Sequence, residues 1–364
     1  MKKICFLFIA VLINSLVFSQ LNNQTVVRGT WITNVASTAM QSPENVREAV
    51  LNCKRNGLTD IFVVVWNGGV TMYPSEVVKK YIGIGQAPYY NGFDPLKTFV
   101  TEGHKEGLRV HAWFEFGAAY AYKDSSTNGW LAKYPSWAGR NSKGELLQKN
   151  GFFWWNAMNP EVQSFLQKLM LEVVRNYQVD GVQGDDRLPA MPGEGGYDDC
   201  SIAMYKKEFK GNMPPSNPKD TAFIQWKSDK ISAFGKMLYR SVKKERANCL
   251  VTWAPSIYPW SKEQYLQDWP KWINDGYADL IIPQLYRYKI DAYEKILKEL
   301  SQQIPKELKY KVFPGILTSL GDGYRVDRQM LSQMLALNRK YGYKGEVLFY
   351  YESLKDFIDP LYKK

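Results

Sequence analysis

Histidine is nearly missing from this chain: His104 and His111 are the only two in 364 residues. Neither belongs to an HExxH pair or another metal-binding spacing, so histidine-metal chemistry has no motif to stand on. There is also no GxSxG elbow, no P-loop and no GxGxxG following a strand, which removes the common esterase and nucleotide-binding motifs. Cysteine is scarce as well. Cys5, Cys53, Cys200 and Cys249 are widely spaced, with neither a disulfide framework nor a metal-ligand pattern, and the last three read as buried small residues. No metal and no cofactor are expected.

Long apolar runs are lacking too. The stretch 4–12 follows Lys2 and Lys3 and falls short of the ~20 residues that cross a bilayer, and no later segment reaches that length. With Val17 and Ser19 at the spacing a signal peptidase accepts, residues 1–19 read as a cleaved secretion signal. A secreted or periplasmic protein without an integral membrane segment is expected. The formal charge of +11 falls by two when Lys2 and Lys3 leave. The remaining bases are interleaved with acids on helix faces, which argues against a nucleic-acid surface and leaves an acidic glycan compatible.

What the chain does have is apolar and aromatic mass, 45% and 15% of residues, enough for a large core. Strands are predicted at 27–33, 59–66, 109–115, 181–185, 250–253, 280–285, 312–317 and 346–350. Helical periodicity falls between them at 43–56, 95–106, 160–177, 220–247, 265–275, 292–303 and 327–341. Asp94-Pro95 and Asn159-Pro160 pair a capping side chain with a first-turn proline, and Gly57, Gly107 and Gly342 follow three helix ends. The expected fold is α/β, a single (β/α)8 TIM barrel over residues 20–364, with enlarged loops after strands 3 and 4 at 116–159 and 187–219. A monomer is expected.

Chemistry in such a fold sits at the strand C-termini. Alternation along 109–115 puts Arg109, His111, Trp113 and Glu115 on one face, and along 179–186 it puts Gln183 and Asp185 together, with Asp186 at the turn. Gln284 and Tyr286 end the sixth strand, and Tyr350, Tyr351 and Glu352 end the eighth. Several polar groups thus converge from different strands. Plainer roles stand beside these: Asp186 as a cap for loop N–H groups, Glu115 as the ion-pair partner of Arg140 or Arg187, Glu352 as a cap on the segment after it. Trp66, Trp113 and Trp253 are placed at strand ends, and Trp130, Trp137, Trp154, Trp155 and Trp260 in loops over the same edge. Flat, rigid rings suit the apolar faces of pyranoses, and they equally suit the pinning of long loops.

Two carboxyls in different environments are what glycosidic cleavage requires, one donating a proton to the leaving oxygen and one attacking carbon or activating water. Asp185 is expected to be the ionised partner, with Gln183 and Arg187 beside it, and Glu115 the acid, raised by Trp113 and Phe114. Trp66, Trp113, Trp154, Trp155, Gln183, Arg187, Trp253, Gln284, Tyr286 and Glu352 are the expected substrate contacts, and the partner a polysaccharide or oligosaccharide. A carbohydrate-binding barrel that has lost the acid/base pair is the alternative.

The segments RGTWIT (28–33), GLRVHAWFEFG (107–117), MNPEV (158–162), YQVDGVQGDD (177–186) and ADLIIPQLY (278–286) together resemble the glycoside-hydrolase-like family 10, exported bacterial barrel proteins. The resemblance covers about residues 28–352. It implies a TIM barrel that hydrolyses glycosidic bonds, some members acting on cell-wall glycan stripped of its peptides. It puts the family's paired aspartates on Asp185 and Asp186 and its PQ-Y motif on Pro283, Gln284 and Tyr286. The chain departs from the family pattern where Gln183 stands for histidine, Glu115 for asparagine, and Arg187-Leu188-Pro189 for the aromatic run after the aspartates.

Overall fold

A computed structural model describes residues 25–90, 92–321, 323–357 and 359–362. The expected secretion signal, 1–19, lies outside the described residues. Eight parallel strands form one curled sheet: β1 (Arg28–Ile32), β2 (Asp60–Val64), β3 (Arg109–Phe114), β4 (Gly181–Gly184), β5 (Leu250–Trp253), β6 (Leu280–Ile281), β7 (Gly315–Leu317) and β8 (Glu346–Phe349). Their order in the sheet is β6-β5-β4-β3-β2-β1-β8-β7. Isolated parallel bridges at Ile281–Val312 and Gln284–Gly315 join the two ends. Helices cross between the strands, as parallel neighbours require. Among the described residues no helix is long and apolar enough to cross a membrane.

Each strand lies close to its predicted place, and the differences have local causes. The sixth strand stops at Ile281, two residues before Pro283, which has no N–H to give a ladder, and the seventh begins only after Pro314. The second ends at Val64, and Trp66–Asn67 turns into a hairpin with Val70–Thr71. The predicted helix 265–275 is replaced by two, Trp260–Tyr265 and Trp269–Asn274. Between them Leu266 adopts a left-handed conformation (φ 62°), and the Gln267 side chain turns inward to donate to the carbonyls of Asp185 (2.7 Å) and Pro189 (3.3 Å). The expected caps are present: Asp94 accepts from Lys97 N (3.0 Å) and Asn159 from Glu161 N (2.8 Å).

The chain after β3 is not an irregular loop. Ala119–Tyr122, Gln148–Lys149 and Phe152–Trp154 form an antiparallel three-stranded sheet. It is pinned by a buried cluster in which Trp66, Trp130, Trp137, Trp155 and Phe165 meet one another at centroid separations of 4.9 to 6.3 Å. Each such ring removes ~150–250 Å² from water, so the cluster fixes this segment over the strand C-termini. The chain after β4 adds a helix, Asp199–Glu208.

The opposite end of the sheet is closed by charge. Asp60, wholly buried, accepts from Arg109 Nε and Nη2, both at 2.8 Å, and its Oδ1 lies 2.8 Å from His111 Nε2. Burial alone would raise this carboxyl, but Arg109 and His111 overcome it and hold it at about 2, against an ordinary 3.8. The contribution of the ionised form is therefore complete above the ordinary value and is lost as pH falls toward 2. Asp60→Asn is expected to cost about 3–5 kcal/mol at neutral pH, because it strands Arg109 and His111. Urea unfolding at several pH values checks this: the wild type should lose more stability than the variant on acidification below the ordinary carboxylate value.

Candidate active site

Register sets the site. Trp113 lies opposite Gln183 and Phe114 opposite Gly184, so Glu115 and Asp185 leave adjacent strands side by side at their C-terminal ends. Beyond Gly184 the chain folds back sharply. A Cβ on Gly184 would strike the Leu188 carbonyl, and one on Gly117 the Arg187 carbonyl, so both turns demand glycine. Ala118 N donates to that same Arg187 carbonyl at 2.9 Å, joining the two strand ends through the backbone.

The turn swings Arg187 back over the acids. Its Nη2 lies 3.1 Å from Asp185 Oδ2 and 3.5 Å from Glu115 Oε1, its Nη1 lies 3.4 Å from Asp186 Oδ1, and its Nε donates to the Glu115 carbonyl at 2.7 Å. Two rings flank the guanidinium, Phe152 at 4.9 Å and Phe116 at 5.8 Å. Asp185 is 2% exposed. It accepts three N–H groups: Arg187 N on Oδ1 (3.0 Å), and Trp113 Nε1 and Arg187 Nη2 on Oδ2, both 3.1 Å. Asn67 donates to Glu115 Oε2 at 2.6 Å.

Burial pushes the Asp185 carboxyl well above the usual carboxylate range; Arg187 pulls it down, while Asp186 and Glu115 push it up again. Glu115 is raised for the same first reason, with Arg187 and Asn67 opposing. Burial works against charge on Arg187, but three surrounding acids more than offset it and raise its pKa. Asp185 and Glu115 share one guanidinium nitrogen and both are raised by burial, so they form a pair whose protonation is linked. The donors divide its members. Asp185 is surrounded by N–H groups aimed at an anion, whereas Glu115 Oε1 has only the long contact to Arg187.

Of the residues singled out from sequence, Asp185, Glu115, Asp186, Arg187 and Trp113 meet here. Tyr286 lies close by: burial raises its hydroxyl well above its usual range, and Asp186 and Asp185 add to this. Gln183 is fully buried, with Oε1 accepting from Trp31 Nε1 at 2.6 Å and its amide nitrogen unpartnered. Gln284 is half-buried and donates to the Ala254 carbonyl at 2.9 Å. Glu352 is bound instead to Ser37 Oγ (2.6 Å) and Lys355 Nζ (2.8 Å). Arg140, weighed as a partner for Glu115, donates to the Gly144 carbonyl.

The tryptophans require correction. Trp66, Trp154, Trp155 and Trp253 are buried and have no face to offer a sugar. Trp66 and Trp155 belong to the pinning cluster, Trp154 packs on Tyr265 (5.7 Å), and Trp253 donates to the Tyr277 carbonyl (3.2 Å) and meets Trp272. Trp113, also buried, serves as a donor to Asp185. Sequence reasoning passed over Asn67, Gln267, Trp31, Phe152 and Tyr265. Of these, Trp31 sits in the RGTWIT segment and Asn67 stands one residue past the predicted second strand, and those two positions could have suggested a role. Among the described residues no group of three His, Cys, Asp or Glu side chains is placed to hold a metal ion.

Comparison with known proteins agrees with this architecture. Glycosyl hydrolase DigH of Escherichia coli (strain K12) is 25% identical over 270 residues, covering 70% of this chain and 60% of DigH. Glycosyl hydrolase YngK of Bacillus subtilis (strain 168) is 23% identical over 218 residues, 54% of this chain and 39% of YngK. This chain therefore matches less than two thirds of either relative's length. Among solved structures, the glycoside hydrolase domain of PgaB (BpsB) from Bordetella bronchiseptica superposes with a TM-score of 0.66 at 11% identity, covering 91% of this chain and 95% of that one. The catalytic domain of β-amylase from Paenibacillus polymyxa gives 0.62 at 10% identity, covering 90% and 92%. These two likenesses concern the fold. The sequence profile of the glycosyl hydrolase-like 10 family matches residues 26–330, and the chain belongs to that family.

Proposed function

We propose that this protein is an exported glycoside hydrolase that cleaves a polysaccharide, with residues 1–19 as its secretion signal and 20–364 as one closed (β/α)8 barrel. The enlarged loops after β3 and β4 form the mouth of the site. The observation that carries the reading is the sharing of one Arg187 nitrogen by Asp185 and Glu115 at the ends of adjacent strands. Membership of a glycosyl-hydrolase-like family supports it. Asp185 acts as the anion, attacking the anomeric carbon or activating water, and Glu115 donates the proton to the leaving oxygen. Arg187 favours the ionised form of Asp185 against the burial that raises it, and Tyr286, on the chain leaving β6, meets the bound ring. Peptide-free peptidoglycan strands and other anionic glycans are the first substrates to try.

A second reading, a carbohydrate-binding barrel without turnover, draws on the engagement of all three acids by Arg187 and on Gln183 where the resemblance implies histidine. The two readings separate on Asp185→Asn. Under the first, kcat falls by about 10³-fold or more while the sugar still binds. Mass spectrometry of products from a glycan panel checks this; full turnover by the variant would sink the assignment. Under the second, no glycan is cleaved by the wild type.

Arg187 also sets the pH dependence. It favours the ionised forms of both acids, so Arg187→Met should leave them protonated to higher pH. Asp185 works as an anion, and the acid limb of the kcat/KM profile should therefore move to higher pH in the variant. The measurement is a pH–rate profile of both proteins, and an acid limb that stays in place would contradict the role given to Arg187.

A further inference from the structure

Eleven of the twelve tryptophans are buried; Trp260, 42% exposed, is the exception. It opens the helix Trp260–Tyr265 on the chain leaving β5, and its ring meets Tyr265 at 5.4 Å. Tyr265 accepts a hydrogen bond from Asn150 Nδ2 at 3.1 Å. Two residues further on, Gln267 donates to the Asp185 carbonyl at 2.7 Å, which seats this segment beside the acid cluster, and burial raises the Tyr265 hydroxyl. A matching arrangement comes from the chain leaving β3. Tyr122, 48% exposed, meets Phe152 at 4.9 Å, and Arg187 lies 4.9 Å from the centre of the Phe152 ring.

β4, which delivers Asp185, lies between β3 and β5 in the sheet. Two exposed rings, one from each neighbouring strand's excursion, are thus each linked through one inner ring to the groups around Asp185. Both are held in place by ring packing, which costs little further ordering when a flat apolar face docks on them. A pyranose chain offers such faces at regular intervals, with hydroxyls left over for the polar edge of the site.

We propose that Trp260 and Tyr122 are outlying sugar subsites on either side of the Asp185–Glu115 pair, so that the protein grips the interior of a glycan chain and cleaves it as an endo-enzyme. The cleavage part rests on the hydrolase reading above, and the gripping part does not. Because Trp260 is the one exposed tryptophan, the iodide-quenchable part of the intrinsic fluorescence reports on it directly. The probes are peptide-free peptidoglycan strands, chitosan and polygalacturonate, added to the full chain carrying Asp185→Asn.

At least one probe should shield Trp260 from iodide, and adding Trp260→Ala or Tyr122→Ala should weaken affinity for it about three- to tenfold. Tyr89→Ala, at a 66% exposed ring that has no part in this site, should leave affinity unchanged. The wild type should release internal fragments from the first time points. No shielding by any probe, or unchanged affinity in both variants, would overturn the subsites. Release of single sugars or disaccharides alone from the outset would overturn endo action. Self-association of the wild type that Trp260→Ala abolishes would assign the ring to a second copy and overturn the proposal. No cleavage of any probe by the wild type with shielding intact would sink the hydrolase reading and support the subsites.

Discussion

A single guanidinium set among three carboxyl groups is the interaction on which the site depends. Asp185 and Glu115 are delivered side by side by strand register, and burial would neutralise both if they were left alone. Among the described residues Arg187 supplies the one positive charge at hydrogen-bonding distance, and the turn at Gly184 and Gly117 brings it back over the strands that carry the acids. One cation facing three acids cannot satisfy them all. Asp185 and Glu115 are therefore both raised above the usual carboxylate range, the direction that acid–base chemistry near neutral pH uses.

The rest of the mouth can be read as support for that arrangement. Trp113 and Gln267 fix Asp185 from its side chain and its carbonyl, and Asn67 fixes Glu115. Phe116 and Phe152 flank the guanidinium, and the three-stranded sheet that carries Phe152 is anchored by the Trp66–Trp130–Trp137–Trp155 cluster. Asp60 with Arg109 and His111 does the corresponding work at the other end of the sheet, with no share in the chemistry. Charge is thus concentrated at two levels of one sheet, one at the strand N-termini and one at the candidate site.

Much of this was legible in the chain, for definite reasons. Strand positions follow from apolar runs bounded by capping pairs and glycines, and period-two alternation put Glu115, Trp113, Gln183 and Asp185 on the inner face. Proline exclusion from the ladder shortened β6 and β7, and it could have been applied from sequence. The tryptophans were misjudged because position along the chain fixes which end of the sheet a residue occupies, not whether its ring faces solvent or the layer beneath. The predicted helix 265–275 was misread because Gln267, a polar residue at a helical spacing, turns inward to the Asp185 carbonyl, a contact that exists only in three dimensions.

The central claim, that Arg187 holds Asp185 and Glu115 as one coupled acid pair, is tested most directly by titrating those carboxyls. Carbon-13 labelling of aspartate and glutamate carboxyl carbons, with Asp185→Asn and Glu115→Gln to assign the signals, allows each to be followed by NMR across pH. The account predicts that both titrate above the usual carboxylate range and that removing either acid lowers the value of the other. Two independent titrations at ordinary carboxylate values, unmoved by substitution of the partner, would contradict it.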